Sequence, residues 1–186
     1  MKINIYLASS LMVVTLVIGM VFGYYISPSY SQSMYSKNDM GLGKADKFVD
    51  LRYLNQMATH HKGAILLAKQ IEDKSDREEI KVLAKEIQEN EPKLIEELYS
   101  WKKDWYKDSR EAEDPMVSNI GSKDDKTDLR FLNALIAHHH EGIEMAQEIK
   151  TKSSRTEVLN NADAVENFLT DSLKVLMSWR SEWYGI

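Results

Sequence analysis

Residues 50–106 return as residues 128–184 at a constant offset of 78, without a gap and with about 20 of 57 aligned positions identical. Leu51-Arg52-Tyr53-Leu54-Asn55 becomes Leu129-Arg130-Phe131-Leu132-Asn133, and Trp101, Trp105 and Tyr106 become Trp179, Trp183 and Tyr184. Two copies are too few for a solenoid, so this is one supersecondary unit used twice. All five histidines fall into two clusters, His60-His61 and His138-His139-His140, and the pairs match at the same offset. Imidazoles at matching places in both copies predict a site built where the copies meet.

A chain of 186 residues supports one domain with an appendage. A net charge of -5 gives no electrostatic case for nucleic acid. The absence of cysteine excludes disulfides, thiolate metal sites and a cysteine nucleophile.

Residues 1–28 differ in kind. From Ile3 to Ile26 there is no charge, and Leu7 to Ile26 is long enough to cross a bilayer as a helix. A cleaved signal peptide is the competing reading, but its apolar region is shorter and ends in a small-x-small site. Here the run ends in Tyr24-Tyr25-Ile26-Ser27-Pro28, with tyrosines placed as an interfacial belt. The expectation is an uncleaved single-pass anchor, with Lys2 and the amino terminus inside and the remaining chain outside the cell membrane. Residues 29–45 are small and polar and read as a flexible tether. Met34 and Met40 in this tether carry soft thioethers that suit copper, but a lone pair of linker methionines more often has no such role.

From Asp46 onward the pattern is helical. Leu51, Leu54, Met57, His61, Ile65, Ala68 and Ile71 form one apolar stripe, and Leu132, Ile136, His139, Ile143, Ala146 and Ile149 form its repeat. Ser75 with Glu78, and Ser154 with Glu157, have capping-box spacing and predict the starts of the second and fourth helices. Pro92 predicts a kink or break near 88–92. Two helical hairpins with one stripe per helix bury those stripes only against each other, so residues 46–186 are expected as an all-α four-helix bundle. Repeat one is 46–106, the linker 107–124 and repeat two 125–186. The linker reaches about 60 Å extended, against about 40 Å for the helices, so a long crossover is allowed but not required.

Both histidine clusters fall at mid-helix, which puts them at one level of the bundle whichever way the helices run. His61 and His139 lie at the centre of the stripe, His60 and His138 on its flank, and His140 further round and exposed. Counting back from the turns places Gln88 and Glu91 opposite His61, and Glu166 and Asn167 opposite His139. One histidine on an apolar face is a satisfied core residue. Four in one layer are hard to satisfy that way, and neutral imidazole suits copper, zinc, iron or nickel. The tryptophan pairs are expected to cover Tyr53 and Phe131 at the bundle ends.

The pattern Asp50, Tyr53, Met57, His60, His61, Ala64, repeated as Asp128, Phe131, Leu135, His138, His139, Gly142 and followed each time by a helix ending in Trp, resembles the ferritin-like domain-of-unknown-function 305 family. The resemblance covers about 46–184. It implies a ferritin-like bundle, exported or membrane-anchored, with copper binding in some members, and it adds Met57 to the candidate ligands. Two departures stand out: Glu91, Leu94 and Leu98 (then Leu169, Ser172 and Leu176) replace the Gln, Glu and Met usual on the second helix, and Leu135 replaces the motif methionine.

The function expected is therefore extracytoplasmic metal binding, with a copper ion as the favoured ligand and no turnover. Its candidate residues are His60, His61, His138, His139, Glu91, Glu166 and Met57. The alternatives are a membrane-tethered structural or interaction module with core histidines, and a di-iron oxidase. The last needs Glu-x-x-His pairs, and no acidic residue stands three before any histidine here. The expected partners are the bilayer and the metal ion, with protein partners unassigned.

Overall fold

Asp46 and Asp124 begin their helices in the same way, and from them the duplication can be followed through the chain. The computed structural model describes residues 41–186. Its four helices are α1 (Val49–Ile71), α2 (Glu78–Tyr106), α3 (Thr127–Lys150) and α4 (Thr156–Tyr184), and no strand occurs among the described residues. The Asp46 carboxylate accepts the Phe48 amide and that of Asp124 accepts the Lys126 amide, both at 2.8 Å. These turns hold donors that would otherwise be orphaned at a helix start. Each aspartate also pairs at 2.9 Å with an arginine six residues on, Arg52 or Arg130.

The second helix of each hairpin starts differently from the expectation. Ser75 and Ser153 accept the amides of Arg77 and Arg155 at 3.1 and 3.0 Å, and no side chain caps Glu78–Tyr106 or Thr156–Tyr184. The capping boxes at Ser75/Glu78 and Ser154/Glu157 therefore do not form: the Ser75 hydroxyl is spent on the turn, and in the second copy the turn is closed by Ser153 and not Ser154. Helix α2 runs unbroken through Pro92. Pro92 is on an exposed face, so the carbonyl one turn back that loses its helical donor lies on the side open to water.

The crossover 107–126 travels the length of α1. Lys62 Nζ donates to the Ala112 carbonyl at 2.7 Å, Gln70 Nε2 to Ser118 at 3.0 Å and Lys74 Nζ to Gly121 at 2.8 Å. Helix α3 thus begins where α1 ends, and the two run antiparallel. An approximate two-fold passes between them. It maps the Arg77–Asp128 pair at 3.4 Å onto Arg155–Asp50 at 3.2 Å. The same arginines lie 4.1 and 4.0 Å from the rings of Trp183 and Trp105. The tryptophans stack in pairs, Trp101 on Trp105 and Trp179 on Trp183, with centroids 5.4 and 5.3 Å apart.

The core is two clusters, one at each end of the bundle. One gathers Tyr53, Leu54, Met57, Leu98, Trp101 and Val165. The other gathers Leu67, Ile80, Phe131, Leu135, Leu176 and Trp179. The tryptophans share a cluster with Tyr53 or Phe131, as the end-packing expectation requires. The fully buried Tyr53 hydroxyl donates to Asn161 at 2.6 Å. At the equivalent positions of the other end stand Phe131 and Leu83, apolar together, so each end satisfies its own polarity.

The repeat also reaches further back than position 50. Leu42 and Ile120 are both buried, their carbonyls accept Arg52 and Arg130, and their amides bond Glu148 and Gln70 at 3.0 Å. Gly43 and Gly121 supply positive φ of 71° and 76° at the same point, and their carbonyls accept Lys152 and Lys74. Residues 41–45 are therefore docked on α3, the part of the expected tether that the structure corrects. The signal was sparse because side chains that dock a strap need little identity. Replacing Leu42 by Ala should lower unfolding free energy by about 2–5 kcal/mol, read by denaturant titration. No change would mean that the strap is free in solution.

The expected anchor, residues 1–28, and tether residues 29–40 with Met34 and Met40 lie outside the described residues. Among the described residues no helix is long and apolar enough to cross a membrane.

Candidate metal centre

The two apolar clusters leave a layer between them, and the histidines fill it. His60 and His138 meet across the α1–α3 contact with their rings stacked, 3.8 Å between centroids and 9° between planes. His61 stands 6.1 Å from His60 and His139 stands 6.4 Å from His138. The four rings form a row, His61–His60–His138–His139, centred on the two-fold. His140 is exposed, as its place on the helix requires.

Glycines permit the stack. A Cβ at Gly142 would lie 2.6 Å from His60 Nε2 and 2.5 Å from a Leu169 methyl, and one at Gly63 would lie 3.0 Å from His138 Cε1. Each glycine thus makes room for the flanking histidine of the other copy. Replacing Gly142 by Ala should cost about 1–3 kcal/mol, because the added methyl pushes a packed ring and a packed leucine off their positions. A melting temperature equal to wild type would contradict that crowding.

Three of the four rings in the row hold a hydrogen bond. His60 Nε2 donates to the His138 carbonyl at 2.9 Å, His61 Nδ1 donates to the Glu91 carboxylate, and His139 Nε2 lies 2.9 Å from Ser172 Oγ. His60 Nδ1, His61 Nε2, His138 Nε2 and His139 Nδ1 are buried with no partner among the described residues. An orphaned buried polar atom costs about 1–3 kcal/mol, so four of them in one layer are expensive for a core with no further task.

Burial also decides the charge. Desolvation first, and then the neighbouring imidazoles, push His60 down to about 4, His139 to about 3 and His138 to about 2. These three rings are neutral at neutral pH, with lone pairs ready to coordinate. Protons therefore compete with a metal at these positions only well below the ordinary imidazole range near 6.5.

The other candidates divide. Glu91 reaches His61 from α2, as counted from the turn. Glu166 does not reach His139. It accepts Gln147 Nε2 at 2.7 Å and pairs with Lys150 near the surface. The α4 residue that faces His139 is Ser172, further along the helix than the count from the turn placed it. Ser172 was legible as the one hydroxyl where the first copy has Leu94 in its apolar stripe. Met57 is fully buried in one apolar cluster, among Tyr53, Leu54 and Leu98, and is a core residue there.

A cleft of about 660 Å³ between α1, α3 and the crossover reaches the stacked pair, lined by His60, Gly63, Pro115, His138, Glu141 and Met145 among others. His61 and His139 do not line it. Among the described residues no three His, Asp or Glu side chains are grouped closely enough to hold one ion together. The orphaned nitrogens fit a metal that binds imidazole, and their arrangement is a row of pairs.

A family model described as domain of unknown function, DUF305, matches residues 50–127 and again 128–185. Solved structures similar to this chain include CopM in the Cu(I)-bound form, 26% identical over 73% of this chain and 97% of that one, with a TM-score of 0.65. CopM in the Ag-bound form, obtained by co-crystallization, is 27% identical over the same shares, with a TM-score of 0.65. A DUF305 fragment from Deinococcus radiodurans, 18% identical over 69% of this chain and 93% of that one at a TM-score of 0.61, shares the fold. No curated protein matches the chain.

Proposed function

The chain belongs to the DUF305 family, and from that premise we propose that it is a membrane-anchored extracytoplasmic protein that binds copper without chemical turnover. Four buried ring nitrogens without partners, in one layer of the core, carry this reading. His60, His61, His138 and His139 would hold the ion. Neutral imidazoles in pairs suit monovalent copper, which accepts two or three ligands, better than zinc, which takes four. CopM, similar in fold and at 24–27% identity, is described with Cu(I) and with silver bound, and also with Cu(II), which supports copper without choosing its oxidation state. The uncharged run from Ile3 to Ile26 supports the anchor.

The test is competition between the full-length protein and a chromophoric chelator for Cu(I), Cu(II), Zn(II) and Fe(II). Copper should be retained in stoichiometric amount and zinc and iron released. Retention of no metal, or of iron with oxidase activity, would overturn the proposal.

A further inference from the structure

The two halves of the histidine row are chemically unequal, although the chain that builds them is duplicated. His61 Nδ1 is engaged by the Glu91 carboxylate, leaving Nε2 bare, whereas His139 Nε2 meets the neutral hydroxyl of Ser172 at 2.9 Å, leaving Nδ1 bare. Position 169, the equivalent of Glu91, is a leucine with 7% exposure, and position 94, the equivalent of Ser172, is a leucine with the same exposure. The repeat has therefore exchanged its polar partner for an apolar one in opposite senses on α2 and α4. Glu91 itself is confined, with 15% of its side chain exposed.

We infer that Glu91 acts through His61 as the positioning residue that sets how much divalent copper the row admits, against monovalent copper. This rests on the metal-binding reading above. A carboxylate that accepts a proton from one imidazole nitrogen fixes the tautomer and makes the other nitrogen a stronger donor. It also leaves a negative charge close to any ion that the ring holds. Coulomb attraction scales with the charge of that ion, so the gain for a divalent ion is about twice that for a monovalent one. Ser172 adds no such charge, so the His139 half treats the two oxidation states more evenly. The outcome is a single row in which the His61 half favours Cu(II) more than the His139 half does.

The experiment compares Cu(II) and Ag(I), a redox-inert stand-in for Cu(I), on the full-length protein and its Glu91→Gln, Glu91→Asp and Ser172→Ala variants. Glu91→Gln should weaken Cu(II) binding about 100-fold and Ag(I) binding about tenfold, so that selectivity shifts about tenfold. Glu91→Asp, which keeps the charge, should keep most of the selectivity, and Ser172→Ala should move both ions by similar, small factors. Equal losses for both ions in Glu91→Gln, with wild type binding both, would overturn this inference and leave the metal reading standing. Wild type that binds neither ion would overturn both. A readout independent of the variants' folding is the ring ¹⁵N spectrum of metal-free wild type, in which His61 should carry its proton on Nδ1. A proton on Nε2 instead would overturn the role of Glu91.

Discussion

Replacing His60 and His138 together by Phe should lower copper affinity by at least about a thousandfold, some 4 kcal/mol, while stability changes by no more than about 1–3 kcal/mol. The two rings are stacked at 3.8 Å, and a phenyl pair keeps that contact while deleting both orphaned nitrogens, His60 Nδ1 and His138 Nε2. Substituting buried, half-satisfied polar groups by apolar ones of similar shape is close to neutral for stability, with about 1–3 kcal/mol at risk from the slightly larger ring. Chelator competition and thermal unfolding on the same preparations give the two numbers. A structural role for the histidines predicts the reverse, no metal uptake in wild type and a marked loss of stability in the variant. Unchanged copper affinity in the variant would end the proposal that these rings hold the ion.

The metal-free protein should lose stability steeply in mild acid. In the unfolded chain histidines take up protons near pH 6.5. In the folded chain His60, His139 and His138 do so only near 4, 3 and 2. Between those values the unfolded state binds more protons, so stability is fully present above pH 6.5 and falls as pH falls. Each such group contributes about 1.4 kcal/mol per pH unit, and three together about 4 kcal/mol per unit between pH 6 and 4. Against a total of about 5–15 kcal/mol, a loss of about 8 kcal/mol between pH 6 and 4 should remove much or all of the stability. In the His60→Phe/His138→Phe variant the slope should fall to about a third, because one of the three groups remains. Wild-type melting temperatures that are flat from pH 7 to 4.5 would contradict the burial of these rings as neutral species.

The bundle, its four helices and the level of the histidines were legible because they depend on periodicity and on a repeat offset, both of which are local or one-dimensional. Glu91 was found by counting from the turn, since a helical hairpin fixes which residues face each other to within a turn. Glu166 failed by the same count, for α4 presents Ser172 to His139 and turns Glu166 towards Lys150. Six residues, about 1.7 helical turns, separate the carboxylate the count chose from the hydroxyl that faces His139. The strap at 41–45 was read as a tether because Leu42, Gly43 and Asp46 match Ile120, Gly121 and Asp124 too thinly to extend the alignment, although their hydrogen bonds match closely.

The sequence by itself determined that two like hairpins must bury their stripes against each other and that matching histidines must meet at mid-bundle, because burial of apolar surface and the 3.6-residue period leave no other arrangement. Only the tertiary structure decided that the rings stand in a row with the flanking pair stacked. That depends on how closely α1 and α3 approach, which Gly63 and Gly142 allow across the two-fold. It also decided which nitrogen of each ring is spent on a protein partner and which is left bare. That is set by the register of α2 and α4 against their neighbours, to a fraction of a helical turn.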